Sequence, residues 1–250
     1  MSSKPAQKRL DVLLVERGLA ESLGKARAMI LAGEVRVDGA RADKAGTSIF
    51  EKARIEIAGR SHKYASRGGF KLEGALADFS IDPSGRVCLD VGCSTGGFTD
   101  CLLQKAAARV YAVDVNVDQL AWKLQQDERV VRIERNAREL RREDIPEMVD
   151  LVVADVSFIS VGKVLLPAAA AMKPGTDALV LVKPQFELRR EDVGRGGIVA
   201  DRSLHEKAVA GVRKAAVAAG LAILGERPSC LPGAEGNQEY FLHLRKKALE

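Results

Sequence analysis

The 250-residue chain has few aromatic residues (4%), four cysteines and only three histidines. Cys88, Cys93, Cys101 and Cys230 form no C-x-x-C pair and the histidines are far apart, which argues against a zinc site or a disulfide framework. Reduced thiols and no bound metal are expected. No apolar run approaches the ~18 residues needed to span a bilayer, and residues 1–9 are polar, without the apolar centre of a signal peptide. A cytoplasmic protein with no membrane partner is the expectation. What the chain does have is 46% hydrophobic residues, enough for one large core and a small module, and a formal net charge of +5. A basic excess of this size points to a polyanionic partner only if the charge is gathered in one place.

One gathering place is the N-terminal segment, residues 1–57, which reads as two short helices followed by a compact β portion. Leu10, Leu13 and Leu14 share one helical face, and Ala26, Met29 and Ile30 share another after the cap candidate Ser22. Gly18 and Gly33 close the two helices, and the alternating residues 34–39 run as a strand into an Asp38-Gly39 turn. Lys8, Arg9, Lys25, Arg27, Arg36, Arg41 and Lys44 can supply a basic face for phosphates, or merely solvate a small domain. With its Arg9-Leu10-Asp11, Ser22-to-Arg27 and Ile30-to-Gly39 stretches, this segment resembles the S4 RNA-binding domain. The resemblance implies Lys8, Arg9, Lys25, Arg27 and Arg36 as contacts to a folded RNA, read by shape and backbone charge. Residues 58–66 lose the apolar periodicity and read as a linker.

From 67 to 250, apolar runs at 87–91, 110–113, 130–133, 151–154 and 178–182 alternate with helical patterns. Such alternation specifies an α/β fold, a mostly parallel Rossmann-like sheet with helices on both faces and ligands beyond the carboxyl ends of its strands. The first run leads into D-V-G-C-S-T-G-G-F-T, with glycines at 92, 96 and 97 rather than at the G-x-G-x-x-G spacing of a dinucleotide site. Hydride transfer is therefore disfavoured. The D-x-G-x-x-x-G-G form resembles motif I of the class I methyltransferases, which implies S-adenosyl-L-methionine as cofactor. Asp90, Gly92, Ser94, Thr95, Gly96, Gly97 and Phe98 would form its methionine-side cradle. Asp114, ending the second strand, is placed for the adenosine ribose hydroxyls. Asn136 and Ala137, after the third strand, are expected beside the adenine, with a plain turn as the alternative.

A ribose hydroxyl is a weak nucleophile, so its methylation needs a group to take or orient the proton and a fixed line of approach. A lysine can serve if a second cation or burial lowers its pKa. Lys71 (R-G-G-F-K-L), Asp155 (V-V-A-D-V-S-F-I-S), Lys183 (L-V-L-V-K-P-Q-F-E) and Glu239 (G-N-Q-E-Y-F) offer that set, with Asp155 and Lys183 each terminating an apolar strand. A charge at a strand end can also be no more than a solvated terminus.

In this order the four residues resemble the tetrad of the FtsJ-type ribose 2′-O-methyltransferases. With the S4-like N-terminus and the P-G-A-E-G-N-Q-E-Y-F stretch, residues 9–244 are similar to the TlyA (haemolysin A) branch, whose members methylate cytidine riboses in ribosomal RNA. The resemblance implies Lys183 as base or orienting group and Asp155 as its partner near the methyl donor, which also places Asp155 among the cofactor contacts. It implies Lys71 and Glu239 around the target ribose, with ribosomal RNA or ribosomal subunits as partner; the sequence leaves the oligomeric state open, with a monomer favoured. Arg67 and the glycine-hinged stretch 189–197 read as RNA-facing, the latter equally as an ordinary surface loop. Phe98, Phe158, Phe186, Phe241 and Trp122 are expected in the core, with Phe186 able to border a target base and Trp122 able to shield adenine as the alternatives, and Cys93 as a small filler. A second class of function fits the same modules: a ribosome assembly factor that binds RNA and keeps the fold without turnover. The complete set of four residues argues against such decay. A membrane-lytic role, which the haemolysin name raises, lacks any segment to insert.

Overall fold

The computed structural model describes residues 6–57, 63–233 and 235–248, and the chain divides into two compact units, Met1–Lys63 and Tyr64–Glu250. In the small unit the elements are β1 (Gln7–Arg9), α1 (Leu10–Glu16), α2 (Leu23–Leu31), β2 (Val35–Val37), β3 (Ala40–Arg41), β4 (Ser48–Phe50) and β5 (Ile55–Ile57). Leu10 and Leu14 of α1 meet Ala26, Met29 and Ile30 of α2 and Val35 of β2 in one small core. Ser22 starts α2 by accepting a hydrogen bond from the Lys25 backbone N–H at 3.2 Å, satisfying one of the donors every helix start leaves open. Asp38 and Gly39 both take positive φ, 50° and 85°, the conformation a two-residue hairpin requires, and β2 and β3 pair across them.

The large unit runs α3 (Gly68–Asp78), β6 (Val87–Val91), α4 (Gly97–Gln104), β7 (Arg109–Asp114), α5 (Trp122–Gln125), β8 (Val130–Glu134), β9 (Val149–Ala154), α6 (Leu165–Ala171), β10 (Met172–Val182), α7 (Pro184–Glu187), α8 (Arg202–Ala218), β11 (Leu221–Pro228) and β12 (Tyr240–Lys246). These strands form one seven-stranded sheet in the order β11-β12-β10-β9-β6-β7-β8. β8, β7, β6, β9 and β10 are parallel; β12 and β11 pair antiparallel at one edge. The central strands are apolar at nearly every position because both faces are covered. Leu89, Val91, Val152, Ala154, Val180 and Val182 enter one core, while Cys88, Leu151, Val153, Leu179 and Leu181 enter the other. Burial of each such Leu or Val contributes roughly 1.5–3 kcal/mol, and the doubled layer fixes the register of every strand end.

Within the 58–66 stretch, residues 58–62 lie outside the described residues. Tyr64 is buried in the large unit with its ring edge-on to Phe70 at 5.2 Å, and the Ala65 N–H donates to Asp100 Oδ2 at 2.7 Å. Among the described residues no helix is long and apolar enough to cross a membrane.

Candidate active site

Parallel pairing brings the carboxyl ends of β6, β9 and β10 side by side, and the site is built there. After β6 the chain turns at Gly92, whose φ is +85°. A Cβ at Gly92 would stand 2.6 Å from the Asp155 carbonyl oxygen, so only glycine lets the turn pass the end of β9. At Gly97, the first residue of α4, a Cβ would stand 2.2 Å from Ser66 Oγ and 2.9 Å from the Gly69 nitrogen. The start of α3 is thereby seated against the turn.

A cavity of about 160 Å³ opens between these segments, lined by Ser66, Gly68, Lys71, Gly92, Cys93, Ser94, Thr95, Gly97, Phe98, Asp155, Ser157 and Lys183. Three of the four residues singled out as chemical therefore face one space, and the fourth reaches it through a partner. Lys183 Nζ lies 2.5 Å from Asp155 Oδ1 and donates to Ser157 Oγ at 2.9 Å. Asp155 Oδ1 is buried and, although Lys183 neutralises it, has no well-directed hydrogen-bond donor. Lys71 sits on the buried side of α3 with Leu72, Ala75 and Leu76, and its Nζ donates to Glu239 Oε2 at 2.5 Å. An ammonium in that position requires such a partner, since leaving it unpaired costs several kcal/mol, on the order of 3–5.

Asp90 and Asp114 support the turn from two sides. Asp90 is fully buried; Thr99 Oγ1 donates to its Oδ2 at 2.7 Å, and its Oδ1 has no partner. Burial pushes the Asp90 carboxyl up to about 7, opposed by the Thr99 hydroxyl and reinforced by the charges of Asp155 and Asp114. Asp114 accepts from the Ser94 N–H at 3.0 Å, the Asn116 N–H at 3.2 Å and Gln119 Nε2 at 3.1 Å. A carboxylate offers about four acceptor positions, so two ribose hydroxyls would fit only if Gln119 turned aside. Asn136 caps a short 3-10 turn by accepting from the Arg138 N–H at 3.1 Å; neither it nor the buried Ala137 lines the cavity. The glycine cradle, with a carboxylate at the end of each neighbouring strand, fits the methionine and ribose parts of S-adenosylmethionine.

Two aromatic expectations fail. Phe158, expected in the core, is 88% exposed, and Trp122 is 70% exposed. Phe158 follows a turn rather than continuing a strand, and its positive φ of 66° swings the ring outward, 5.3 Å from Phe186. Trp122 opens the four-residue α5, too short to bury its faces against the sheet. Phe98 and Phe241 are buried and stack at 6.1 Å, and Cys93 is a buried wall of the cavity. Ser66, Gly68 and Ser157 were missed because a serine or glycine two or three residues from a charged motif is too common to carry a signal; only the fold brings them to the cavity.

In the small unit, Asp11 is fully buried and binds two arginines: Arg9 through Nε and Nη2 at 3.0 and 2.8 Å, and Arg27 through Nε at 2.9 Å. The Arg9 guanidinium, helped by Arg27, holds the Asp11 carboxyl far below the usual carboxylate range against the effect of burial. Lys8 pairs with Glu16 at 3.0 Å and Glu51 at 3.2 Å, Arg36 donates to the Gly39 carbonyl at 3.3 Å, and Lys25 is exposed. In the large unit Arg67 is exposed, donating to the Pro232 carbonyl at 3.4 Å.

A family model described as FtsJ-like methyltransferase matches residues 64–246, and one described as S4 domain matches residues 8–49. The chain is 47% identical over 239 residues to the 16S/23S rRNA (cytidine-2′-O)-methyltransferase TlyA of Mycobacterium tuberculosis, covering 95% of this chain and 89% of that protein. It is 40% identical to Hemolysin A of Brachyspira hyodysenteriae, over 94% of this chain and 98% of the relative. A solved structure from Streptococcus thermophilus that carries a hemolysin name superposes with a TM-score of 0.78 at 40% identity, covering 98% of this chain and 90% of that one.

Proposed function

The chain belongs to the FtsJ-like methyltransferase family and carries an S4 domain, and from that premise we propose that it methylates a cytidine ribose 2′-hydroxyl in ribosomal RNA with S-adenosylmethionine as donor. The observation that carries the reading is one cavity that joins the glycine turn to Lys71, Asp155 and Lys183. When bound, the cofactor supplies an electrophilic methyl group. Gly92, Ser94, Thr95, Gly96, Gly97 and Phe98 would hold its methionine end, with Asp90 beneath them and Asp114 at the ribose; Asn136 and Ala137 remain the proposed adenine side.

Lys183, fixed by Asp155 and Ser157, has a third ammonium direction to offer the target hydroxyl, orienting its oxygen; once deprotonated, it can take the proton. Lys71 and Glu239 form a buried pair at the same wall and set the field and shape around the ribose. Fixing the oxygen at ~3–3.5 Å from its target in line is itself worth several kcal/mol, so rigid positioning by these pairs is the main contribution. The outward ring of Phe158, beside Phe186, offers a stacking face to a base that leaves its helix. Residues 1–57, through Lys8, Arg9, Lys25, Arg27 and Arg36, would supply the grip on RNA, residues 58–66 the connection, and residues 67–250 the chemistry with Arg67 at its edge. Incorporation of radiolabelled methyl groups into isolated ribosomal subunits, followed by mapping of 2′-O-methylated positions, tests this. Binding without incorporation would favour an assembly factor.

A further inference from the structure

The segment after β9, residues 155–160, carries Asp155, Ser157 and the exposed Phe158; it is neither helix nor strand and leads into a short 3-10 turn that begins at Val161. Phe158 sits there at φ +66°, a left-handed conformation that is costly for a bulky residue and persists only where its surroundings enforce it. The enforcement comes from one short stretch, Lys183 and α7. On the near side of Phe158, Lys183 donates to nothing in residue 158 itself but holds its neighbour Ser157 at 2.9 Å. On the far side, the Glu187 carboxylate accepts from Ser160 Oγ at 2.5 Å and from the Val161 N–H at 2.7 Å. Ser160 Oγ in turn accepts from the Gly162 N–H at 3.1 Å, which closes the turn. Phe158 is thus gripped from both sides, and its ring meets Phe186 between the two anchors.

From this geometry we infer that Glu187 is a positioning residue for the methyl-transfer reaction, clamping residues 157–161 in the strained form that presents Phe158 to the substrate nucleotide. The inference rests on the reading of Phe158 as a nucleotide contact. Glu187 itself touches none of the reacting groups; it acts on them through Ser160 and Val161. Its burial is unfavourable for a carboxylate, and the Ser160 hydroxyl, the Val161 N–H and the Lys163 charge offset only part of that. A solvated loop would not need the group, because water could satisfy the same backbone donor.

The test compares Glu187→Ala and Glu187→Gln with the unaltered full-length chain in single-turnover methylation of ribosomal subunits, alone and combined with Phe158→Ala. The amide of Glu187→Gln keeps the acceptor for Val161 with little change of shape, so that variant folds even if the alanine does not. A single-turnover rate lower by up to about 10²-fold is expected for the alanine, and less for the glutamine, with the Kd for S-adenosylmethionine in calorimetry unchanged. In the Phe158→Ala background the further loss from either variant should shrink toward none, because the group that Glu187 positions is already gone. Hydrogen exchange at the Val161 and Gly162 amides should be faster in Glu187→Ala, and by a smaller factor in Glu187→Gln, whose amide oxygen is the weaker acceptor. Equal losses in the two backgrounds, full activity, or unchanged exchange would overturn the inference. Exchange needs no turnover, so an unaltered protein that transfers no methyl group removes the proposed function, while the clamp stands or falls on exchange alone.

Discussion

The arginines around Asp11 in the small unit keep about half their surface in water, 52% for Arg9 and 54% for Arg27, whereas in the large unit Lys71 and Glu239 keep 10% and 2%. Both are acid–base pairings, yet they serve different ends. The first leaves guanidinium edges free to meet a phosphate, through an interaction that salt weakens. The second is largely withdrawn from salt and water, so it is screened less than a surface pair and is correspondingly costly to break. Placement of charge, more than its amount, separates the surface suited to binding from the one suited to chemistry.

Lys183 gives that contrast its sharpest test. Replacing Lys183 by Ala should lower the single-turnover rate by about 10²–10⁴-fold, the usual worth of a positioned acid–base group, while calorimetry finds cofactor affinity nearly unchanged. Lys183→Arg should not rescue the rate if the amine must lose its proton, because guanidinium stays protonated; partial rescue would reduce its role to charge.

Next comes the buried pair. Lys71→Met leaves the Glu239 carboxylate buried without its ammonium and should cost roughly 3–5 kcal/mol in urea unfolding. Adding Glu239→Gln should recover part of that loss, since the orphaned charge is then removed. A single variant as stable as the parent would mean that the pair is open to water after all.

Asp114→Ala should weaken S-adenosylmethionine binding by roughly 1.5–3 kcal/mol, the range for hydrogen bonds to a charged acceptor. Unaltered affinity would remove Asp114 from the cofactor site.

The Asp90 carboxyl, raised by burial from 3.8 to about 7, favours the protonated form in the fold. Its contribution to stability is present below pH 4 and fades as pH rises through 7, so Asp90→Asn should flatten the stability profile across that window. Unfolding measured from pH 4 to pH 8 in both proteins checks the sign.

The smallest effect belongs to the solvent-facing side. Arg9→Gln should lower RNA affinity modestly and reduce the salt slope of binding by about one phosphate contact. A slope that stays constant would show that Asp11 keeps Arg9 for the fold alone.

Much of this was legible in the chain because its signals are local. The five parallel strands could be read from apolar runs of strand length, and the turn at 92–97 from glycines placed where no side chain fits. Lys183 and Asp155 could be placed together at the carboxyl edge of the sheet because each ends an apolar run and parallel strands align their ends; their partnership was implied by the family resemblance. The antiparallel edge formed by β11 and β12 was not read, since strand direction depends on which neighbour a strand finds. Phe158 was misplaced because an apolar residue beside an apolar strand normally enters the core; its outward turn comes from a positive φ that residues 183–187 enforce from far along the sequence.

Period, spacing and residue type within some ten residues were enough to set the five parallel strands, the glycine turn and the places of Asp155 and Lys183 at strand ends, while Lys71 and Glu239 were singled out through the family resemblance. Packing alone decided that Lys71 meets Glu239 across 168 positions, that Asp114 receives the Ser94 N–H from the glycine turn, and that Glu187 grips the segment of Ser157 and Phe158. These are contacts between groups far apart in the chain whose distance is fixed by packing two cores against one sheet, and no local pattern encodes a distance of that kind.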